Sequence, residues 1–300
     1  MKIRFGPYTV ETSNDDKILF PDSGISKADV IRYYRDAAEW MLPHLEDRCL
    51  TIRRFPDGIG EDGFFQQHHA EHFPDFVRNV ALPTAGGDGS IEHIVANNAA
   101  AIAYLANQAT IEIHGWLATS DHPTHPDRIV FDLDPADDDF SSVTECAVLL
   151  KEALELSKLV PYVMTTGSRG LHVVAPLSRE LDFEAARDFA NTIAAATAAR
   201  QPSRFTTEQR KKARGHRLYI DTARNAYGQT AVLAYSLRAI ERAPVATPLD
   251  WSELDREDLS PQRYHIGNLF RRLGQIDDPW ADMKRHASGI AAADKALTNM

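Results

Sequence analysis

The chain has 300 residues, of which 43% are hydrophobic and 25% charged, a composition sufficient for one large globular domain or two closely joined lobes. Its formal net charge of −10 argues against a protein that coats nucleic acid non-specifically, so any contact with DNA must be local. Its two cysteines are too few for a disulfide framework or a four-cysteine zinc site. The sequence has no apolar run of the membrane-spanning or signal-peptide type. We therefore expect an intracellular, cytoplasmic protein that contacts no membrane.

The first part of the chain alternates between predicted strands and helices. A strand over residues 3–10 precedes a helix over residues 27–41, for which Ser26 is the expected N-cap. The pattern then predicts, in order, strand 50–54, strand 91–96, helix 98–108 and strand 111–117. On the last of these strands Glu112, His114 and Trp116 share one face. His114 is a candidate functional residue, although a histidine satisfied within a core is the commoner outcome.

The segment from residue 127 to residue 135 carries the strongest chemical signal in the chain. An apolar strand leads to Asp132 and Asp134 and stops at Pro135, and the alternation of side chains places both carboxylates on one face. Neighbouring carboxylates repel one another unless a cation lies between them, and Mg²⁺ or Mn²⁺ suits such oxygen ligands. The alternative is a solvated strand end that runs into the acidic turn at residues 137–139.

From residue 129 the order of the predicted elements is itself informative. The elements are strand 129–134, helix 141–158, strand 160–166, strand 171–176, helix 183–200 and strand 217–222. This βαββαβ order is typical of ferredoxin-like and RNA-recognition folds, in which the first strand lies between the third and the fourth. Asp132, Asp134, His172 and Asp221 should therefore converge on one face of the sheet, which favours a catalytic metal site over a solvated turn.

Two further features suit a nucleoside triphosphate. The turn at residues 166–170 offers backbone N–H groups, the Ser168 hydroxyl and the Arg169 guanidinium, all of which are suited to phosphate. A last predicted strand over residues 230–237 leads to Arg238, whose guanidinium is suited to a triphosphate. The basic run between residues 200 and 217 is a credible contact for a DNA backbone, although charge runs are usually solvated loops.

These residues resemble the motifs of the archaeo-eukaryotic primase superfamily, and specifically the polymerase domain of bacterial and archaeal ligase D. The motifs are Asp132-Leu133-Asp134-Pro135, Gly167-Ser168-Arg169-Gly170-Leu171-His172-Val173, Asp221 and Tyr235-Ser236-Leu237-Arg238. The likeness continues upstream through Asp16-Lys17-Ile18-Leu19-Phe20-Pro21, Gly24-Ile25-Ser26-Lys27, Arg54-Phe55-Pro56-Asp57-Gly58, Phe64-Phe65-Gln66 and Ile113-His114-Gly115-Trp116. It covers most of the chain, up to the segment Asp278-Pro279-Trp280.

The resemblance implies an α+β fold of the primase type, in which a ferredoxin-like βαββαβ catalytic lobe packs with an N-terminal α/β lobe. It implies a template-directed nucleotidyltransferase of non-homologous end joining that fills gaps at broken DNA ends, prefers ribonucleotides and uses two Mn²⁺ or Mg²⁺ ions. The expected substrates are nucleoside triphosphates and gapped or broken DNA with a 5′-phosphate. The expected partners are Ku and a separate DNA ligase, which places the protein with the nucleoid.

The resemblance also implies a role for individual residues. The catalytic residues and metal ligands are Asp132, Asp134 and Asp221. The residues that bind the nucleotide are His114, Ser168, Arg169, His172 and Arg238. The residues that bind DNA are Lys17, Lys27, Arg54, Phe64 and Phe65, with the lysines on the 5′-phosphate and the phenylalanines stacked on the template. Apart from the resemblance, the phenylalanines are equally well explained as a buried pair, and the lysines as ordinary surface residues.

The expected organisation is a single domain over residues 1–300, with an N-terminal lobe at 1–120, a catalytic lobe at 121–245 and a C-terminal wrap and helix at 246–300. The chain departs from the family pattern at Gln67, Arg224 and Gln229, three positions expected near phosphate or template. It is either a stand-alone polymerase or an excised domain.

Two other functions stay open at this stage. One is a metal-dependent nuclease or phosphohydrolase, which would use the same carboxylates to activate water. The other is a non-catalytic module that binds DNA ends. Arg238 and the turn that precedes His172 favour nucleotide addition, because hydrolysis does not need a triphosphate clamp.

Overall fold

The computed structural model describes residues 1–84, 86–137 and 139–290. The chain forms two compact units. The first unit consists of Met1–Asp121, Thr230–Ala246 and Tyr264–Gly274, and the second of His122–Gln229, Thr247–Arg263 and the chain from Gln275 onward. Among the described residues, no helix combines the length and the apolar character that crossing a bilayer requires.

The helices and strands have the following bounds. The strands are β1 (Lys2–Phe5), β2 (Tyr8–Glu11), β3 (Ile18–Phe20), β4 (Ile25–Ser26), β5 (Leu50–Arg54), β6 (Phe64–Gln66), β7 (Arg78–Pro83), β8 (Ser90–Val95), β9 (Thr110–Trp116), β10 (Arg128–Asp134), β11 (Tyr162–Thr165), β12 (Leu171–Pro176), β13 (Phe205–Thr206), β14 (Leu218–Asp221), β15 (Thr230–Val232) and β16 (Thr247–Leu249). The helices are α1 (Lys27–Leu45), α2 (Ala99–Asn107), α3 (Phe140–Leu156), α4 (Phe183–Arg200), α5 (Lys211–Arg214) and α6 (Leu269–Leu273), with 3₁₀ turns at Trp251–Asp255 and Met283–His286.

The second unit is built on a sheet with the strand order β13-β14-β10-β12-β11-β16. Strand β10 runs antiparallel to both β12 and β14, and helices α3 and α4 pack on each other and on β10. The first strand of the βαββαβ order therefore lies between the third and the fourth, which confirms the predicted ferredoxin-like topology. On β10 itself, Ile129, Phe131 and Leu133 are fully buried and alternate with the two aspartates.

The first unit is built on a sheet with the strand order β15-β9-β5-β8-β7, to which β6 adds by pairing with β5. Helix α1 begins as predicted at Ser26, whose hydroxyl accepts from Asp29 N while the Asp29 carboxylate accepts from Ser26 N. This capping box satisfies two groups at the helix terminus. One face of α1 is almost completely buried, and it consists of Val30, Tyr33, Tyr34, Ala37 and Met41.

Three predicted elements differ in the structure. Residues 3–10 form the hairpin β1-β2 rather than one strand, because Gly6 turns the chain at a φ of 55°. The strand expected over 230–237 ends at Val232, and Tyr235 adopts a φ of 66° that no strand can contain. The helix expected near the C-terminus is a 3₁₀ turn at Met283–His286 within the described residues, and its continuation over 291–300 lies outside them.

The expected lobe boundaries also differ after residue 229. The sequence predicts residues 230–245 in the catalytic lobe, but β15 pairs antiparallel with β9, and Thr230–Ala246, which includes Arg238, belongs to the first unit. The region expected as one C-terminal wrap is divided in the same way. Its β16 pairs with β11 in the second unit, whereas Tyr264–Gly274 belongs to the first. Long-range strand pairing of this kind leaves no local signal in the sequence.

Candidate active site

A row of three polar residues crosses the sheet of the second unit. Asp132 on β10 lies directly opposite His172 on β12 and directly opposite Asp221 on β14. Residues opposite one another in antiparallel strands present their side chains on the same face. Asp134, two residues beyond Asp132, shares that face. The structure thus brings together the four residues that the sequence predicted to converge.

Each residue of the row also contacts groups of this chain. His172 Nε2 lies 3.5 Å from Asp132 Oδ1. Asp221 Oδ1 accepts from Ala223 N at 2.7 Å and from the Tyr219 hydroxyl at 3.2 Å. These contacts hold the carboxylates in place at the end of the sheet.

Asp134 lies beyond this row, at the exposed end of β10. Its Oδ2 is 3.8 Å from Arg214 Nη1. Burial raises the pKa of Asp134 above its ordinary value, and the negative charge of Asp132 raises it further, against the opposing effect of Arg169 and Arg214. The carboxylates therefore repel one another in the absence of a cation.

This donor set fits a hard divalent cation. Carboxylate oxygens on neighbouring positions are the ligands that Mg²⁺ and Mn²⁺ prefer, and a bound cation would relieve the repulsion between Asp132 and Asp134. Over the described ranges, however, no three side chains of His, Cys, Asp or Glu are gathered so that they could enclose a metal ion. The sheet face carries side chains of a suitable type, and the assignment of Asp132, Asp134 and Asp221 as metal ligands is a proposal.

The turn before His172 is held tightly against the end of β10. Gly167 turns the chain at a φ of 66°, and a Cβ atom on Gly170 would lie 1.9 Å from Leu133 O, so only glycine fits there. The Thr166 hydroxyl donates to Gly170 O and accepts from the N–H groups of Ser168 and Gly170. These two N–H groups were expected to bind phosphate, but the turn uses them internally because they point at the Thr166 side chain.

Ser168 and Arg169 line a cavity of about 310 Å³ in the second unit. Its other walls include Pro135 and Phe140, and Gln262 Nε2 donates to Ser168 O at 3.0 Å. Arg169 Nη2 donates to Pro135 O at 3.1 Å, which fixes the guanidinium beside the end of β10. The Ser168 and Arg169 side chains thus lie beside a space that a phosphate group could enter.

In the first unit, Glu112 is the centre of a polar cluster that sequence analysis missed. Its Oε1 accepts from Arg238 Nε at 3.2 Å and from Ala239 N at 3.1 Å. Its Oε2 lies 3.2 Å from His114 Nε2 and 3.8 Å from Arg53 Nη1. The sequence placed Glu112 and His114 on one face of a strand, and this alternation was the only available signal.

The electrostatics of Glu112 follow from these contacts. Burial opposes its ionisation and is the largest single influence. The hydrogen bond with His114, the charge of Arg238 and the Ala239 N–H together outweigh it and lower the pKa of Glu112 to about 2. Its side chain is only 4% exposed. Glu112 is therefore a buried, ionised carboxylate at neutral pH.

Helix α1 fixes the segment that leads to Arg238. The Tyr33 hydroxyl donates to Tyr235 O at 2.7 Å. The Tyr34 hydroxyl donates to Ile111 O at 2.6 Å and accepts from Leu237 N at 3.0 Å. This network ties the residues before Arg238 to strand β9, which carries Glu112 and His114.

The aromatic pair on β6 is exposed. Phe64 and Phe65 are 46% and 62% exposed, so the alternative of a buried pair is wrong. The guanidinium of Arg53 lies 5.3 Å from the ring of Phe65, that of Arg54 lies 5.3 Å from the ring of Phe64, and the ring of Phe65 lies edge-on to His114. Exposed aromatic rings beside cations are suited to stacking on nucleobases.

The other cations expected to bind DNA have partners within the chain. Lys17 Nζ is 2.7 Å from Asp57 Oδ1. Lys27 is only 5% exposed and donates to Ser13 O at 2.6 Å, and burial lowers its pKa, so it is not the surface lysine that composition suggested. Arg54 donates from Nε to Gln108 O and from Nη1 to Gln66 Oε1.

Most arginines of the basic run between residues 200 and 217 also bind carboxylates or backbone carbonyls of the chain itself. Arg200 and Arg204 form ion pairs with Glu152 and Glu145. Arg217 donates to backbone carbonyls, and Arg214 does the same while its guanidinium lies 3.7 Å from the ring of Tyr219. Lys211 and Lys212 are exposed on α5. The surface available for a DNA backbone is therefore smaller than the sequence suggested.

Asn225 is a structural residue that sequence analysis did not recognise. Its side chain is 1% exposed, accepts from Val130 N and donates to Val130 O. The amide thus satisfies a backbone position of β10 two residues before Asp132, where β14 does not reach. Arg224, the adjacent departure from the family pattern, is exposed.

The ferredoxin-like sheet, with two aspartates on its central strand and a third opposite, defines a protein of the primase-polymerase class. A family model described as the LigD primase-polymerase domain matches residues 26–280, and the chain belongs to this family. It is 34% identical over 273 residues to a bifunctional non-homologous end joining protein LigD of Bacillus subtilis, covering 90% of this chain and 43% of that protein. It is 31% identical over 288 residues to a multifunctional LigD of Pseudomonas aeruginosa, covering 95% of this chain and 34% of that protein.

A solved structure supports the same assignment. The polymerase domain of Mycobacterium tuberculosis ligase D in complex with DNA matches with a TM-score of 0.86 and 27% identity, covering 93% of this chain and 99% of that one. This confirms the primase-like fold and the predicted family. The chain spans less than half the length of the curated relatives that it matches.

Proposed function

We propose that this chain is a metal-dependent nucleotidyltransferase that adds nucleotides to 3′ ends at DNA gaps and breaks in non-homologous end joining. The observation that carries the proposal is the row of Asp132, His172 and Asp221 on the sheet face that Asp134 shares. That row lies in a fold whose family is named for primase-polymerase activity. The names of the relatives describe end joining, and one solved relative binds DNA.

The chemistry proposed is in-line attack of a primer 3′-hydroxyl on the α-phosphorus of a nucleoside triphosphate, with release of pyrophosphate. Two divalent ions, Mn²⁺ or Mg²⁺, would activate the hydroxyl and neutralise charge on the leaving group when bound. Asp132, Asp134 and Asp221 would hold them. Ser168, Arg169 and His172 are the proposed phosphate contacts of the second unit.

The remaining proposed roles belong to residues of the first unit and follow from the family resemblance. Arg238 and His114 are proposed to bind the nucleotide, Phe64 and Phe65 to stack on the template, and Lys17, Lys27 and Arg54 to bind DNA. The exposure of both phenylalanines supports stacking. We also propose a preference for ribonucleotides, and Ku and a separate ligase as partners in the cell.

One assay distinguishes this function from its rivals. The protein is incubated with Mn²⁺, labelled ribonucleoside triphosphates and a gapped duplex with a 5′-phosphate. Extension of the primer supports the proposal, shortening indicates a nuclease, and binding without either indicates a DNA-end-binding module. Asp132→Asn should abolish extension. The matched control is Asp188→Asn, which changes an exposed aspartate on α4 of the same unit and should leave extension unchanged.

A further inference from the structure

Glu112 occupies a position from which it can control the His114 ring. The two residues are separated by one position on β9 and share a face, and Arg53 lies directly opposite Glu112 on β5. Arg238 Nε and Ala239 N bind one carboxylate oxygen of Glu112. The other oxygen is thereby turned toward His114 Nε2, 3.2 Å away.

We propose that Glu112 is a positioning residue that fixes the tautomer of His114 and, through it, the choice between ribonucleotides and deoxynucleotides. This inference rests on the proposed function, because it assumes that His114 contacts the sugar of the incoming nucleotide. Glu112 itself would touch no substrate.

The neutral imidazole of His114 can carry its proton on either ring nitrogen. An ionised carboxylate can only accept hydrogen bonds, so the contact with Glu112 Oε2 requires a proton on His114 Nε2. In the neutral ring Nδ1 is then the acceptor. As an acceptor, Nδ1 can bind the 2′-hydroxyl of a ribonucleotide. A deoxyribonucleotide lacks this hydroxyl and cannot make the same hydrogen bond. The carboxylate also makes Nδ1 a stronger acceptor, as it does for histidines that act through their second nitrogen.

The variant Glu112→Gln reverses this arrangement at almost constant shape. Two donors, Arg238 Nε and Ala239 N, converge on one side of the group and should retain the amide oxygen. The amide NH₂ then faces His114 Nε2, and two donors cannot share that contact. The proton should therefore move to Nδ1. The sugar hydroxyl can then no longer donate to Nδ1 and could only accept a hydrogen bond from it.

The first measurement is the ¹⁵N chemical shifts of the His114 ring nitrogens at neutral pH. We expect the Nε2–H tautomer in the parent chain and the Nδ1–H tautomer in Glu112→Gln. The Nδ1–H tautomer in the parent would overturn the inference. The measurement on the parent chain requires neither activity nor a folded variant.

The second measurement is the ratio of kcat/KM for a ribonucleotide to that for its deoxynucleotide, on a gapped duplex with Mn²⁺. Glu112→Gln should lower this ratio about tenfold, equivalent to about 1.4 kcal/mol. In the His114→Ala background the same change should leave the ratio unaltered, because Glu112 acts through His114. Glu92→Gln, on the exposed side of β8, is the matched control and should behave as the parent.

The outcomes distinguish failure of the role assigned to Glu112 from failure of the proposed function. If Glu112→Gln lowers kcat/KM equally for both nucleotides, or lowers the ratio equally with and without His114, Glu112 is merely structural and the inference fails. If the parent chain adds no nucleotide, the proposed function and the role in sugar choice both fail, while the ¹⁵N spectrum still decides whether Glu112 sets the tautomer.

Discussion

Glu112 should make the stability of the protein depend on pH in a defined way. Its pKa falls from an ordinary value of 4.5 to about 2 in the folded chain. A carboxyl group whose pKa is lowered on folding stabilises the folded state above its unfolded pKa, and this contribution is lost as the pH falls toward the folded pKa. The stabilisation should therefore be complete above about pH 5 and decline steadily below pH 4.5.

The magnitude follows from the shift. A difference of about 2.5 pKa units corresponds to about 3 kcal/mol at pH 7, and to about 1.4 kcal/mol at pH 3. Glu112→Gln cannot ionise, so it should lower the free energy of unfolding by up to about 3 kcal/mol at pH 7. The groups that face Glu112 are His114, Arg53, Arg238 and the Tyr34 hydroxyl, and the arginines keep their charge throughout this range.

The assay is urea unfolding of the parent and of Glu112→Gln, followed by circular dichroism between pH 3 and pH 7. The difference in free energy between the two should shrink by about half or more over this range, whereas Glu92→Gln should track the parent. A difference that is constant with pH would refute the reasoning, because it would show that the variant loses packing rather than a charge interaction.

Three further predictions concern the second unit and the lysines. Asp134→Asn should raise the free energy of unfolding of the metal-free protein at pH 7, because the raised pKa of this carboxyl marks an unfavourable charge; a lower melting temperature would contradict this. Gly170→Ala should destabilise the protein and disturb His172, because its Cβ would meet Leu133 O at 1.9 Å; unchanged urea unfolding would count against it. Removal of the 5′-phosphate from a gapped duplex should weaken binding about tenfold or more, measured by fluorescence anisotropy. The double variant Lys17→Ala with Lys27→Ala should bind both duplexes equally. If it still prefers the phosphorylated duplex, other residues bind the phosphate.

The sequence predicted the aspartate row well for a physical reason. Apolar alternation around Asp132 indicates a strand, and the order of strands and helices leaves one common topology for the sheet. In that topology the central strand must lie between those that carry His172 and Asp221. The apolar alternation and the order of the elements therefore both predict that Asp132, His172 and Asp221 lie side by side.

The sequence did not predict the Glu112 cluster, because its partners come from distant parts of the chain. Alternation places Glu112 and His114 on one face, but nothing local indicates that Arg238 reaches the same carboxylate. That contact depends on the pairing of β15 with β9 and on the positive φ of Tyr235. Neither has a signal in composition or periodicity, since tyrosine rarely adopts such a conformation.

Burial of single polar side chains was also beyond sequence reasoning. The sequence suggests that Lys27, at the start of an amphipathic helix, is a phosphate contact or a surface residue, yet its ammonium donates to Ser13 O. The Asn225 side chain forms hydrogen bonds with the N–H and the carbonyl of Val130 on β10. Such roles follow from the packing of elements whose relative placement only the structure supplies.

The central claim is tested most directly by single-turnover extension of a gapped duplex as a function of Mn²⁺ concentration. Parent, Asp132→Asn and Asp188→Asn are compared with one labelled ribonucleoside triphosphate. The account predicts that the parent and Asp188→Asn extend the primer in a metal-dependent manner, and that Asp132→Asn still binds the duplex but adds no nucleotide at any metal concentration. Extension by Asp132→Asn at the parental rate, or extension by the parent without divalent metal, would contradict it.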